Sequence, residues 1–291
     1  MGRIVLILGV ALLAGCSSTP EPPPFNPKST VDQNLTKSVL APRQFKLAPG
    51  LQVGGKVARR TTVPGLEEPI ETWYAVVGEE DGHWRVECVS DSLQSLHATN
   101  AETRALVIGC AVNKETGVVS RAVVGKPGEL AIEISVEEPL DADPEPVERE
   151  ATVEVPGLGE VPALERELAE YEETSWYGTE GALAGVLLKF QGPEAYALSA
   201  APAETSFEVS GHAIEALALT YDNGAVVKLA KDDPLLATFY PAPGPGRRGL
   251  IGEVQPYFKS ELTAYATDAT PQLVWDAPEG ANPEGETPPR D

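Results

Sequence analysis

Basic residues are scarce in this chain of 291 residues: 22 Lys and Arg stand against 44 Asp and Glu, a formal charge of −22. A field of that sign repels phosphate backbones, which argues against nucleic acid as a partner. Histidine is rarer still. His83, His97 and His212 lie far apart, and neither HxxxH nor CxxC spacing occurs, so no metal-ligand set can be read. The acidic run Asp141-Ala142-Asp143-Pro144-Glu145 lacks the central Gly and the distant Glu of a calcium loop, and reads as solvated chain. No GxSxG elbow is present, and His212 after Ser210-Gly211 reads as a strand-edge residue rather than a general base. Gly244-Pro245-Gly246-Arg247-Arg248-Gly249 carries Pro and precedes no helix, which makes it an exposed turn rather than an anion site. No catalytic, metal or cofactor site follows from these patterns, and the chain is expected not to be an enzyme. Long apolar runs are missing too, apart from one at the start, so no segment approaches the roughly 18 residues that a spanning helix needs. What is plentiful is Pro and Gly, 27 of each, which favours turns and short strands over long helices.

The one apolar run, Ile4 to Leu13, follows the single basic residue Arg3 and ends at Leu13-Ala14-Gly15-Cys16. Ten residues cannot cross about 30 Å of hydrocarbon as a helix, and the layout is that of a signal peptide. The four residues at its end resemble a bacterial lipobox. That resemblance implies cleavage before Cys16 and a diacylglyceryl group on its thiol, with residues 1–15 removed. Two or three acyl chains at about 0.8 kcal/mol per buried methylene hold such a protein firmly on a membrane. Ser17 rather than Asp after the Cys implies, by the sorting rule of Gram-negative lipoproteins, the outer membrane, on its periplasmic face. Residues 16–45, opening with Ser17-Ser18-Thr19-Pro20-Glu21-Pro22-Pro23-Pro24, read as a Pro-rich tether.

Export leaves Cys88 and Cys110 in an oxidising compartment, where a disulfide between them is expected. A loop of about 22 residues closed in this way would contribute about 3 kcal/mol.

Residues 46–136 read as an antiparallel meander. Its clearest signal is Asp81-Gly82 between β-rich runs, the sequence of a type I′ turn. A tight hairpin there pairs Glu80 with His83, Val77 with Val86 and Ala75 with Cys88, placing Trp73, Ala75, Val77, Trp84, Val86 and Cys88 on one face. His83, Arg85 and Glu87 then lie on the other, wet face. Thr103–Val112, Val118–Val124 and Glu129–Val136 are further strands, the last alternating apolar with polar. Residues 137–173 hold fourteen acids and two arginines and five prolines. Positions 137–161 are expected as a solvated acidic insert, and Pro162 to Glu173 as a short helix with Leu164, Leu168 and Tyr171 on one face. A second hairpin turns at Asp222-Asn223-Gly224 between Ile214–Tyr221 and Ala225–Leu229, with strands at Gly249–Val254 and Ser260–Ala266. Residues 276–291 read as a disordered tail.

The expected fold class is therefore α+β and predominantly antiparallel β, with a domain over 46–275 and one short amphipathic helix. The lipobox, the basic strand Lys56 to Thr62, the block Val76-Val77-Gly78-Glu79-Glu80-Asp81-Gly82 with Trp84 and Glu87, and Gly249-Leu250-Ile251-Gly252 resemble a group of β-rich outer-membrane lipoproteins. These are similar in turn to the curved half-barrels of lipoprotein-carrier and lipoprotein-receptor proteins. The resemblance implies a curved sheet whose concave face holds acyl chains. The expected function is that of a non-enzymatic binding or assembly module on the membrane, with a lipidic ligand or an envelope protein as partner. A structural envelope component, or a hydrolase of envelope polymers, are the alternatives.

Overall fold

The computed structural model describes residues 26, 28–36, 41–89, 105–136, 145–246 and 248–276. The expected signal peptide, Cys16, His97 and the start of the expected strand Thr103–Val112 lie outside them, as do residues 137–144 and 277–291.

The fold is mostly antiparallel β, as expected, with 55% of the described residues in strands and 7% helical. A first run of strands comprises β1 (Lys56–Thr62), β2 (Ile70–Glu80), β3 (His83–Val89), β4 (Val107–Asn113), β5 (Val119–Gly125) and β6 (Ile132–Ile134). A second comprises β7 (Val147–Val155), β8 (Gly159–Leu168), β9 (Glu173–Gly178), β10 (Leu187–Gln191) and β11 (Tyr196–Ala197). A third comprises β12 (Ala203–Val209), β13 (His212–Thr220), β14 (Val226–Ala230), β15 (Leu250–Gln255) and β16 (Phe258–Ala266). The first and third runs join, because β16 pairs with β1 from Lys56↔Ala266 to Thr62↔Lys259. The product is one curved, unclosed sheet of eleven strands, in the order β12-β13-β14-β15-β16-β1-β2-β3-β4-β5-β6. The middle run forms a separate five-stranded sheet, β11-β10-β9-β8-β7.

The hairpin turns where its sequence requires. Asp81 and Gly82 have φ of 46° and 78°, both positive as a type I′ turn demands, and Glu80 pairs with His83. Beyond Gly78 the register departs from expectation. A bulge at Val77 shifts the pairing, so Val76 rather than Val77 faces Val86, Ala75 faces Glu87 and Tyr74 faces Cys88.

The β3–β4 register, which carries no bulge, places the cysteines. Cys88 pairs with Ile108 and Cys110 with Val86, so the two lie diagonally across β3 and β4 rather than opposite. Diagonal positions are about 7–8 Å apart, beyond the usual span of a cystine. The expected disulfide is not formed, and both are buried free thiols.

Two further expectations fail. Residues 145–161 are not solvated connection, and 162–173 is not a helix: β7 and β8 form a hairpin in register from Val147↔Glu167 to Val155↔Gly159. Period two wins over the four-three spacing of Leu164, Leu168 and Tyr171 because Val153, Val155, Val161 and Ala163 turn inward and bury. The charges alternate outward and pair across the strands, Arg166 to Glu148 at 2.9 Å and Arg149 to Glu165 at 3.5 Å. Pro162 is tolerated because its carbonyl accepts from Thr179, just past the end of β9, so its missing N–H faces a side with no further ladder.

Besides the four-residue α1 (Gln33–Thr36) and two single 3-10 turns at Ala169–Tyr171 and Gly181–Leu183, the described residues hold one short α-helix, α2 (Pro234–Phe239). Pro234 opens it and the Asp233 carboxylate caps it, accepting the Leu236 N–H at 2.9 Å. Its Phe239 stacks on Tyr74 at 5.0 Å between ring centroids and meets Phe45 edge-on at 5.8 Å. The tether expectation for 16–45 is shortened by the same packing, since Val31, Ala41 and Phe45 are buried in this core. Core therefore covers one face of the central strands through residues 41–48 and α2.

Candidate functional site

The two sheets meet over a second core. Val155, Val161 and Leu188 of the small sheet pack on Leu217, Leu219 and Leu229 of β13 and β14. β13 alternates strictly enough to serve two cores: Ile214 and Ala216 face the first, and Leu217 and Leu219 the second. The turn after α2 clasps the sheets. Arg248 donates from Nε and Nη2 to the carbonyls of Ala184 (3.0 Å) and Ala182 (2.9 Å). Gly185 and Gly246 touch backbone to backbone, where a Cβ on Gly185 would come within 2.5 Å of Gly246 Cα. The segment read as an exposed turn is thus an inter-sheet contact.

At the open end of this junction lies a cleft of ≈ 60 Å³, lined by Leu187, Tyr196, Leu219, Tyr221, Val227 and Glu253, among others. The Tyr221 hydroxyl donates to the Leu187 carbonyl at 2.9 Å, and the Tyr196 ring meets the Tyr221 ring edge-on at 5.3 Å. Burial raises the pKa of both phenols, and the neighbouring Tyr177 and Glu253 push in the same direction. Near neutrality they are hydrogen-bond donors, not bases. The volume admits a few waters, whereas small-molecule sites measure about 300–1,000 Å³.

Glu87 is the carboxylate that sequence reasoning misplaced. Expected on a wet face, it is fully buried. Residues 271–276, expected as the end of the domain and the start of a tail, cross that face as a strap. The Glu87 carboxylate accepts from the backbone N–H of Gln272 (2.7 Å) and of Leu273 (3.1 Å) and from Trp275 Nε1 (3.2 Å). The strap also adds to the segment before β6, with Ala131 N–H donating to the Val274 carbonyl at 2.8 Å. Arg85 lies over the Trp275 ring, and Arg121 pairs with Asp276 at 2.9 Å. Burial raises the Glu87 pKa, the three donors and Lys56 opposing it in part. With its oxygens committed to the strap, Glu87 is a structural acceptor and has no cleft before it.

The remaining candidates stay apart. His83 Nδ1 lies 2.9 Å from its own turn carbonyl, Asp81 O, and the His212 ring packs 5.1 Å from Tyr265. Cys88 and Cys110 are buried, and burial drives both thiol pKa values up, Cys110 to about 12. Among the described residues no three His, Cys, Asp or Glu come together as a metal site, and no helix is long and apolar enough to cross a membrane. No protein-family model, curated protein or solved structure matches this chain.

Proposed function

We propose that the protein is a lipid-anchored component of the cell envelope that binds or assembles through its surface rather than transforming a substrate. The lipobox at Leu13–Cys16 supports the anchor and the outer membrane as its address. The observation that carries the binding reading is the filled interior. Among the described residues both cores close over their strands and the junction between the sheets keeps only ≈ 60 Å³, while larger hollows, ≈ 260 Å³ beside Leu51 and Pro234 and ≈ 370 Å³ beside Gln44 and Glu115, are open to the surface. An acyl chain has no ready chamber there, so the lipid-carrier version of the resemblance is the weaker one. Contacts are left to the sheet edges, of which β12 and β7 are the long ones, seven and nine residues. An edge strand offers unpaired N–H and C=O groups that a partner strand can complete. Photo-crosslinking in the native host, from a photoreactive residue at the exposed positions Thr205 or Glu148, tests this reading. Edge docking predicts a discrete protein adduct from at least one position. No adduct from either, together with stoichiometric binding of a fluorescent fatty acid by the purified chain, would turn the reading toward carriage.

A further inference from the structure

We propose that the outer edge of β12 docks an extended segment of another protein that carries Lys or Arg four residues apart, a proposal that rests on the reading of the sheet edges as the binding surface. β12 and β13 join at Ser210-Gly211, whose φ of 51° and 78° make a two-residue type I′ turn. Such a turn makes Val209 and His212 a hydrogen-bonded pair. Along this antiparallel ladder, which carries no bulge, Phe207, Thr205 and Ala203 therefore also turn their N–H and C=O groups to β13. Glu204, Ser206 and Glu208 turn theirs outward. β12 ends the eleven-stranded sheet, so these are the groups that an incoming strand meets. Residues 145–246, which hold β12, its hairpin partner and the segments flanking them, are all among the described residues.

The side chains of Glu204, Ser206 and Glu208 share one face and are exposed, with the exposed Glu215 of β13 opposite Ser206. Among the described residues Lys231 pairs with Glu204 at 2.8 Å, and Glu208 and Glu215 form no ion pair. A second copy of the chain is the wrong partner for this edge. Antiparallel pairing of β12 with itself about Ser206 sets Glu204 against Glu208 twice, and like charges directly opposite are destabilising. β7, the other long edge, repeats the obstacle with Glu148, Glu150 and Glu154 at alternate positions. A strand with basic residues opposite Glu204 and Glu208 turns the same geometry into two attractive pairs. Those two residues must stand four apart, as Glu204 and Glu208 do.

The other face of the edge selects as well. Phe207 is half-buried, with Lys228 Nζ 5.6 Å from its ring centroid, and it borders a cleft of ≈ 80 Å³ lined also by Val254, Lys259 and Ser260. Val254 is 45% exposed, and Lys259 is paired with Glu261 at 2.5 Å. The partner residue opposite Phe207 lies next to the one opposite Glu208 and points to the face of this cleft, where an apolar side chain covers Phe207. β16 bounds the site at its turn end, since Ser210 Oγ accepts the Tyr265 N–H at 3.2 Å. Entering antiparallel, the partner therefore presents a basic residue, an apolar one, a small or hydroxyl-bearing one opposite Ser206, a fourth opposite Thr205 and a second basic residue.

The test titrates the Cys16→Ser chain with the capped peptide Thr-Lys-Leu-Thr-Val-Lys-Thr and follows amide hydrogen exchange residue by residue. Exchange is expected to slow several-fold at Glu204, Ser206 and Glu208 and to stay unchanged at Thr205 and Phe207, whose amides already face β13. Thr-Leu-Lys-Lys-Val-Thr-Thr, of the same composition and charge but with its lysines adjacent, should leave all five unchanged, as should the peptide with Glu in place of Lys. The doubly substituted Glu204→Gln, Glu208→Gln chain should bind the first peptide several-fold more weakly, whereas Glu180→Gln, Glu194→Gln, an equal change of charge in loops, should bind as before. Equal slowing by the rearranged peptide would reduce the effect to net charge and overturn the proposal, as would equal weakening in the two double variants. Equal slowing by the Glu peptide would overturn the basic partner while leaving edge docking intact. No slowing by any peptide would overturn the proposal, and with no photo-adduct from Thr205 or Glu148 in the native host it would overturn the edge reading beneath it.

Discussion

Gly109 separates two physical effects of opposite sign. It sits in β4 between Glu87 of β3 and Val123 of β5, beneath the Trp275 indole. A glycine inside a strand ordinarily weakens it, and replacement by Ala gains about 0.5–1 kcal/mol from the reduced freedom of the unfolded chain. Here a Cβ would lie 2.6 Å from Trp275 Cζ2, 2.9 Å from its Cε2 and 2.9 Å from Val123 Cγ2. Carbon atoms pack best at about 3.5–4.0 Å, so the ring must lift by about 1 Å. Overpacking of this kind costs about 1–3 kcal/mol. Lifting the indole also stretches its 3.2 Å bond to Glu87, and a hydrogen bond to a charged group contributes about 1.5–3 kcal/mol. Packing therefore outweighs backbone entropy, and Gly109→Ala should lower the unfolding free energy by about 1–4 kcal/mol by urea titration. In a Trp275→Ala background, where the ring is gone and the Val123 Cγ2 contact at 2.9 Å remains, the same change should cost clearly less. An unchanged or raised stability of the single variant, or equal losses in both backgrounds, would refute the seating of Trp275 on Gly109.

The other predictions concern titrating groups and the cap. Since the Glu87 pKa is raised in the folded state, the fold holds that proton more tightly than the unfolded chain. Its stabilising share is present below the ordinary carboxylate pKa and is lost as pH rises through the raised value. The stability difference between wild type and Glu87→Gln should accordingly fall with rising pH across that window. A difference independent of pH would contradict the burial. In a Cys16→Ser chain, Cys88 and Cys110 should resist maleimide in the native state and yield two reactive thiols in urea, whereas none in urea would reveal a cystine. Asp233→Ala removes the α2 cap and should cost about 0.5–2 kcal/mol. It should also lower the Tyr265 phenol pKa, which burial first and Asp233 next now hold up at about 12, as read by absorbance titration; an unmoved pKa would place Asp233 elsewhere.

Local chemistry explains which parts of the fold were legible. Asp81-Gly82 and Asp222-Asn223-Gly224 mark their hairpins because few other residues accept those backbone angles, and the strands beside them alternate plainly. β7 and β8 escaped because their outward faces carry the Glu and Arg that signal solvated chain; only cross-strand pairing such as Arg166 with Glu148 makes that charge compatible with a sheet. The Val77 bulge has no sequence mark among its β-rich neighbours, yet it decides that Tyr74 rather than Ala75 faces Cys88. Glu87 was misplaced because its dry environment comes from Trp275, 188 residues later in the chain. The cluster Leu273-Val274-Trp275 at the edge of a polar tail was the available signal for the strap. Likewise the fold offers no local sign that Gly246 must meet Gly185, a contact made between two sheets.

The central claim, that this is a surface-binding envelope protein held by lipid on Cys16, is tested most directly by the intact mass of the chain purified from membranes of its own host. The account predicts a chain beginning at Cys16 and carrying a diacylglyceryl group, with or without a third acyl chain, and no additional noncovalent lipid. A chain that retains residues 1–15, or that begins at an unmodified residue, would contradict it.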